Sequence, residues 1–432
     1  MPEAKLSNSP SYIDRLALIS ASGKFTWFGA SMMVLAFILP LYKKAVPLAV
    51  VLVILARVIE QFSAPDHFKK GNSALQKGVA LMTGFYALHL IGMLWSNNWD
   101  YGSLDLQYKL SLVVFPLLFF PRVTKDILLW KRAANLYLIG YFLFIGISIT
   151  NASLGYWEDG NLSHFFYMEL SMWFHPSYQA MYGAWAILLV ISFASDGFKT
   201  KHALAIVVLC FYLSLLASKA GFISGFIAIG VGLIVMLKSE MKRSKAALIG
   251  LTAMLVLAAF IVLSPQSRGR IQSAVNFVDA ESEEEIVKEV DSAESNAART
   301  IVWKFAFQEF MKHPFGVGTG DVKDHLTAVY EANGANEAAK IRMNPHNQYL
   351  QSAVALGWLG LLFSLLIIVV PLWYLLKSKR WVHAGFFLIF GFNLLVESMI
   401  EVQSGVVFFA FWAMLLLNDA EVPRPKMPFH NA

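Results

Sequence analysis

The chain has 432 residues, of which 57% are hydrophobic and 15% charged, with a mean hydropathy of +0.55. That balance is too apolar for a soluble multidomain protein and points to a polytopic membrane protein. The formal net charge of +6 follows from basic residues that mark cytoplasmic loops, so nucleic acid is not the implied partner, and the single cysteine, Cys210, excludes a disulfide framework or a cysteine metal site.

The polar leader Met1–Lys24 precedes a full-length apolar segment with no clear small-residue cleavage site, so that segment reads as a retained anchor. Apolar runs near twenty residues fall at about 26–42, 45–62, 78–95, 104–120, 127–150 and 177–194. They continue at about 202–217, 221–237, 246–263, 351–376, 381–400 and 404–418. The second carries Arg57 and Glu60 and the fourth carries Lys109, which makes these two the weakest spans. The expected fold is all-α, with about twelve transmembrane helices and a large, partly helical extracytoplasmic loop between helices 9 and 10. The expected divisions are a cytoplasmic leader (1–25), helices 1 to 9 (26–263), the loop (264–350), helices 10 to 12 (351–418) and a cytoplasmic tail (419–432).

With the N-terminus inside, the even-numbered connections hold Lys69, Lys70, Arg122, Lys125, Lys199, Lys201, Lys238, Lys242, Arg243, Lys245, Lys377, Lys379 and Arg380. The opposite short loops hold little besides Lys43, Lys44 and Lys219, a positive-inside pattern that sets both termini in the cytoplasm. Two polar stretches then lie outside, from about Asn151 to Phe174 and from Ser264 to Asn344. The long one carries Arg268, Arg270, Arg299 and Arg342, but long loops are exempt from the charge rule.

Within that loop, Asp279–Glu294 is an acidic run with Glu284 and Lys288 at helical spacing, most simply a solvated helix or flap. Arg299, Trp303, Phe307 and Phe310 fall along one helical stripe ended by His313-Pro314, which would draw the Arg299 guanidinium to a membrane surface where it can serve a phosphate. The turn Gly316-Val317-Gly318-Thr319-Gly320 lacks the strand-then-helix setting of a dinucleotide fingerprint and reads as a flexible turn. His325 lies near Asp321 and Asp324, but the loop has no tight ligand pair such as H-x-x-x-H, and no metal is assigned.

Ionisable residues at membrane depth are costly and therefore informative. Lys219 occupies a very short outer hairpin, as a site cation or as a snorkelling lysine that ends a helix. Lys109, about a turn inside its span, is expected to add positive charge to the same cavity, and Glu397 and Glu401, four apart on the eleventh span, to share a face near the outer boundary. Those carboxylates either pair with Lys219, Arg299 or Lys109, orient a histidine, or are structural. His175-Pro176 at an outer helix entrance is a candidate for binding an acceptor, whereas His89, inside the third span, reads as satisfying a neighbouring helix. Trp95, Trp99, Tyr101, Tyr156, Trp157, Trp173 and Trp358 gather at outer boundaries as an aromatic belt would.

Asn344-Pro345-His346-Asn347 closes the long loop at the mouth of a helix. With Asn344 as N-cap and Pro345 at the first helical position, His346 falls in the first turn. The positive field there favours a neutral ring that can accept a proton, and the free N–H groups can hold an anion. The plainer alternative is an interfacial histidine that caps a loop.

In these residues the chain resembles the O-antigen ligase and O-antigen polymerase superfamily. The resemblance rests on His346-Asn347 followed by Gly357-Trp358-Leu359-Gly360, and on Arg299-x-x-x-Trp303 and Pro314-Phe315-Gly316-Val317-Gly318 upstream. It implies a metal-independent membrane glycosyltransferase without cofactors, at the periplasmic face of a bacterial inner membrane. Such enzymes take a glycan from undecaprenyl diphosphate to lipid A-core, to a growing glycan or to a protein. By the resemblance His346 is the essential histidine that activates the acceptor hydroxyl, Arg299 binds diphosphate, and Ser218-Lys219-Ala220 stands where the family often has Ser-Arg-Gly. Asn347, His175, Glu397 and Lys109 are the accompanying acceptor or supporting candidates. Displacing a diphosphate from a sugar needs a base for the hydroxyl and positive charge for the leaving group, which these residues supply. A lipid-linked glycan transporter is the rival reading, against which stand the large loop and the absence of an internal repeat.

Overall fold

The apolar runs fold as helices in a computed structural model that describes residues 26–63, 68–70, 73–120, 122–124, 126, 128–195, 197–276 and 296–420. The leader, the acidic run 279–294 and residues 421–432 of the tail lie outside the described residues. The first half comprises α1 (Trp27–Leu41), α2 (Val46–Ser63), α3 (Ser73–Gly92), α4 (Trp99–Lys109), α5 (Ser111–Phe119), α6 (Leu129–Asp159) and α7 (Pro176–Ala194). Then come α8 (Thr200–Leu215), α9 (Lys219–Leu237) and α10 (Arg243–Leu263), followed by the loop helices α11 (Pro265–Asn276), α12 (Asn296–Lys312) and α13 (Val322–Ala332). The chain closes with α14 (Gln348–Lys377), α15 (Trp381–Val396) and α16 (Gln403–Ala420).

Among the described residues eight helices are long and apolar enough to cross a membrane, and α1, α8 and α15 are apolar but shorter. The fourth run is broken at Leu110 into α4 and α5. One short antiparallel strand pair, Phe68–Lys70 with Arg122–Thr124, ties the connection after α2 to the one after α5. Apart from that pair, the regular structure among the described residues is helical, the architecture of a helical membrane protein.

The second span shows how lipid solvation orders a helix. Leu48, Val51, Leu52, Leu55, Val58, Ile59 and Phe62 of α2 are exposed, while Arg57 and Glu60 are buried. That arrangement is inverted for water and correct for lipid, because hydrocarbon solvates the aliphatic face and the charged groups must find partners inside the protein. Arg57 Nε donates to the Leu118 carbonyl at 2.7 Å, and Glu60 Oε2 accepts from the Phe28 backbone N–H in the first turn of α1 at 2.9 Å.

At the centre, α7 and α16 are buried along almost their whole length. Aromatic packing joins them, with Tyr182 4.4 Å from Phe408 and Trp185 5.3 Å from Trp412 between ring centroids.

Three helices begin together at one end of this bundle, where α15 finishes. A Cβ on Gly221 of α9 would stand 2.4 Å from the Ala180 side chain of α7, so only glycine permits that approach. Asn393 Nδ2 near the end of α15 donates to Ser224 Oγ of α9 at 2.8 Å, and Tyr349 Oη in the first turn of α14 donates to the Gly391 carbonyl of α15 at 3.2 Å.

The loop docks on a break in α14. Gly357 has φ 64° and ψ −148° inside that helix, and a Cβ there would meet the Pro314 carbonyl oxygen at 2.0 Å. The freed backbone groups are satisfied by the loop: Trp358 N–H donates to Pro314 O at 3.1 Å, Val317 N–H to Val354 O at 2.9 Å and Gly318 N–H to Ala355 O at 3.0 Å. The segment from Gly316 to Gly320 is therefore a wedge and not the flexible turn expected. Gly316 (φ 81°) and Gly318 (φ 107°) lie where side chains would strike Ala355 and Ser96.

The aromatic stripe of α12 also needs correction. Val302, Ala306 and Phe310 are buried and continue the line from Arg299, whereas Phe307 is exposed. Steps of four residues overshoot by about 40° each, so Phe307, two steps on, rotates away from the face that packs, while Trp303 stays partly buried.

Candidate active site

His346 sits just before α14, not in its first turn. The cap is Asn347, whose Oδ1 accepts from the Tyr349 and Leu350 backbone N–H groups at 3.0 and 3.1 Å. Asn344 instead closes a local turn by accepting from the His346 backbone N–H at 2.9 Å, and His346 takes a left-handed φ of 45°. Such a conformation costs about 1–3 kcal/mol in a non-glycine residue and persists only where the surroundings impose it.

His346 Nδ1 lies 3.0 Å from Glu397 Oε1, with 21% of the imidazole and 8% of the carboxylate exposed. Burial pushes the Glu397 pKa up, but the hydrogen bond to His346 and the charges of His346, His175 and Arg299 outweigh it and hold the group below the usual carboxylate range. An ionised carboxylate only accepts, so Nδ1 carries the hydrogen, and in the neutral form of the ring Nε2 presents a lone pair.

The charges acting on Glu397 identify its neighbours. Arg299 Nε is buried and has no hydrogen-bond partner among the described residues. His175 is the N-cap of α7, its Nδ1 accepting from the Ser177 backbone N–H at 3.3 Å, and its ring is 6.3 Å from that of Tyr167 between centroids. The Arg270 guanidinium stacks 3.9 Å from the Tyr167 ring, which links α11 to the same neighbourhood. Lys219 is the first residue of α9, after the N-cap Ser218. The starts of α7, α9 and α14 thus bring three positive helix ends to one region.

Glu401 takes one of the alternatives open in the sequence by pairing with Lys109, but Lys109 does not add to the cavity as expected. Lys109 is wholly buried and ion-paired with Asp105 and, at 2.7 Å, with Glu401, so it adds no free positive charge to a cavity. Glu397 and Glu401 do not share a helical face, because α15 ends at Val396 and Glu397 is extended (φ −156°, ψ 144°). Glu401 accepts from Gln348 Nε2 at 2.7 Å, and Gln348 Oε1 accepts from the Ile400 backbone N–H at 2.8 Å, which fixes the connection that carries Glu397.

Sequence reasoning missed Asp105, Gln348 and the Arg270–Tyr167 contact. The i,i+4 spacing of Asp105 and Lys109 was the available signal for the first; the other two join distant segments and left none. His89 of α3 faces the neighbouring helix α4, 3.7 Å from Asp105 and within the same buried cluster. Asp321 and Asp324 are not beside a His325 site: Asp321 accepts from the Asn97 and Asn98 backbone N–H groups, each at 2.7 Å, and Asp324 pairs with Arg342.

The described residues thus set a histidine against a carboxylate, within reach of the Arg299 charge, in a helical membrane protein. Residues 204–365 match the family described as O-Antigen ligase, a segment that includes Lys219, Arg299 and His346 but not His175 or Glu397. The match supports the O-antigen ligase superfamily read from the sequence. No curated protein matches the chain.

Proposed function

We propose that the chain is an O-antigen ligase-like glycosyltransferase that moves a glycan from undecaprenyl diphosphate to a hydroxyl of lipid A-core by direct, inverting displacement. The observation that carries the reading is the 3.0 Å contact between His346 Nδ1 and Glu397, which leaves Nε2 free to take a proton. The acceptor oxygen attacks the anomeric carbon as its proton passes to Nε2, and the bond from that carbon to the diphosphate oxygen breaks with its electron pair going to the diphosphate. Arg299 and Lys219, with the N-termini of α9 and α14, neutralise the leaving group without a metal in that step. Asn347 acts by starting α14 and so fixing His346. His175 is an acceptor contact, and Lys109 supports the frame through its pair with Glu401.

The proposed topology has twelve spans, counting α4 with α5 as one and including the three shorter apolar helices. Both termini are cytoplasmic, and residues 264–350 form the catalytic loop on the periplasmic side. The distribution of lysine and arginine among the short connections supports this orientation. The test is to give purified chain an undecaprenyl diphosphate-linked glycan with lipid A-core and weigh the products. Glycan on lipid A-core is expected. Longer glycan on the carrier would reassign the chain as a polymerase, glycan on a protein as a protein glycosyltransferase, and movement of intact donor across vesicles without transfer as a transporter.

A further inference from the structure

The loop holds a second cluster that the transfer chemistry leaves unused. Glu309 and His313 stand four residues apart at the end of α12, so both side chains lie on one helical face. His325 comes from the first turn of α13. Glu309 Oε1 is 3.1 Å from His313 Nε2 and 3.2 Å from His325 Nδ1, and one donor atom from each of the three lies within 4.8 Å of the others.

We propose that Glu309, His313 and His325 bind a divalent zinc-class ion. Bonds of about 2.0–2.1 Å in tetrahedral geometry set donors roughly 3.3 Å apart, close to the two short separations here. Two imidazoles and one carboxylate suit zinc, and the donor set leaves a fourth position for water. The carboxylate is buried while the imidazoles are 41% and 37% exposed, so the site has a closed floor and an entry from solvent. Lys312 Nζ stands 3.6 Å from Glu309 Oε2, which leaves Oε1 as the ligand atom.

Binding requires that the ring hydrogens facing Glu309 move to Nδ1 of His313 and Nε2 of His325, so that each inward nitrogen presents a lone pair. The ion staples the end of α12 to the start of α13, on either side of the glycine wedge that docks into α14. Its role is to hold the helix that carries Arg299, and it does not take part in glycan transfer.

The test uses full-length chain in detergent, loaded with cobalt(II) chloride or zinc chloride and desalted. Wild type is expected to retain about one ion per chain, to show the visible absorption of four-coordinate cobalt, and to melt at higher temperature with zinc. A His313→Asn/His325→Asn variant is expected to lose all three responses. A His164→Asn variant, altered at another histidine that lies 2.9 Å from Asp159 and 2.7 Å from Glu169, is expected to keep them. Retention by the double variant equal to wild type, or loss in His164→Asn alone, would overturn the assignment. Should the double variant fail to fold, the wild-type cobalt spectrum decides, and its absence overturns the site.

Discussion

Glu397 and Glu401 leave the same short connection four residues apart and enter opposite environments. Glu397 meets a partly exposed histidine at the gathering point of three helix starts. Glu401 is enclosed with Lys109, Asp105 and Gln348. The first keeps one face of its partner open to a substrate, while the second shares the single cation Lys109 with Asp105 in an enclosed cluster. The difference separates a candidate site from its support: ionisable residues can do chemistry where a substrate can reach them, and hold the frame where they are enclosed.

The largest effect should come from breaking the enclosed region. Lys109→Met leaves Asp105 and Glu401 facing each other without their cation, and removing one partner of a buried pair costs about 3–5 kcal/mol. Thermal melting in detergent should show that loss, with activity falling only in proportion to folded protein. Next is the loop junction. Gly357→Ala forces a Cβ onto the Pro314 carbonyl at a backbone conformation nearly reserved for glycine, worth about 1–3 kcal/mol, and hydrogen exchange should rise in α12 and α13 before the core of α7.

Changes at the open region should alter rate more than stability. Glu397→Gln keeps the shape but loses the anion that selects the imidazole tautomer, and transfer should fall about 10–100-fold with a modest drop in melting at neutral pH, where the carboxylate's contribution is complete. Because the folded-state pKa of Glu397 is depressed, its contribution to stability is complete above the unfolded value near about 4.3 and is lost as pH falls through the lower folded value. The Gln variant should therefore lose part of the acid dependence of melting below about pH 4.3. Arg299→Lys, the mildest change, keeps the charge but not the fork and should mainly raise the donor KM by about tenfold.

The spans and the histidine before α14 were legible because hydropathy and the His346-Asn347 signature are local. The break after Val396 was not, since neither glycine nor proline marks it, and so the two glutamates read as one helical face. Glu309 and His313 stand four apart, a spacing that went unread, and the third residue, His325, comes from another helix and is brought in only by packing. The Gly316–Gly320 turn looked flexible because its glycines answer to Ala355 and Ser96, residues that sequence distance hides. Phe307 was misassigned because four-residue steps drift around a helix.

The central claim is that the His346 imidazole removes the acceptor proton. Single-turnover transfer from an undecaprenyl diphosphate-linked glycan to lipid A-core, compared between wild type and His346→Ala at equal folded concentration, tests it most directly. The account predicts a loss of about 10²–10⁴-fold in rate with unchanged melting. Transfer by the alanine variant at the wild-type rate would contradict it.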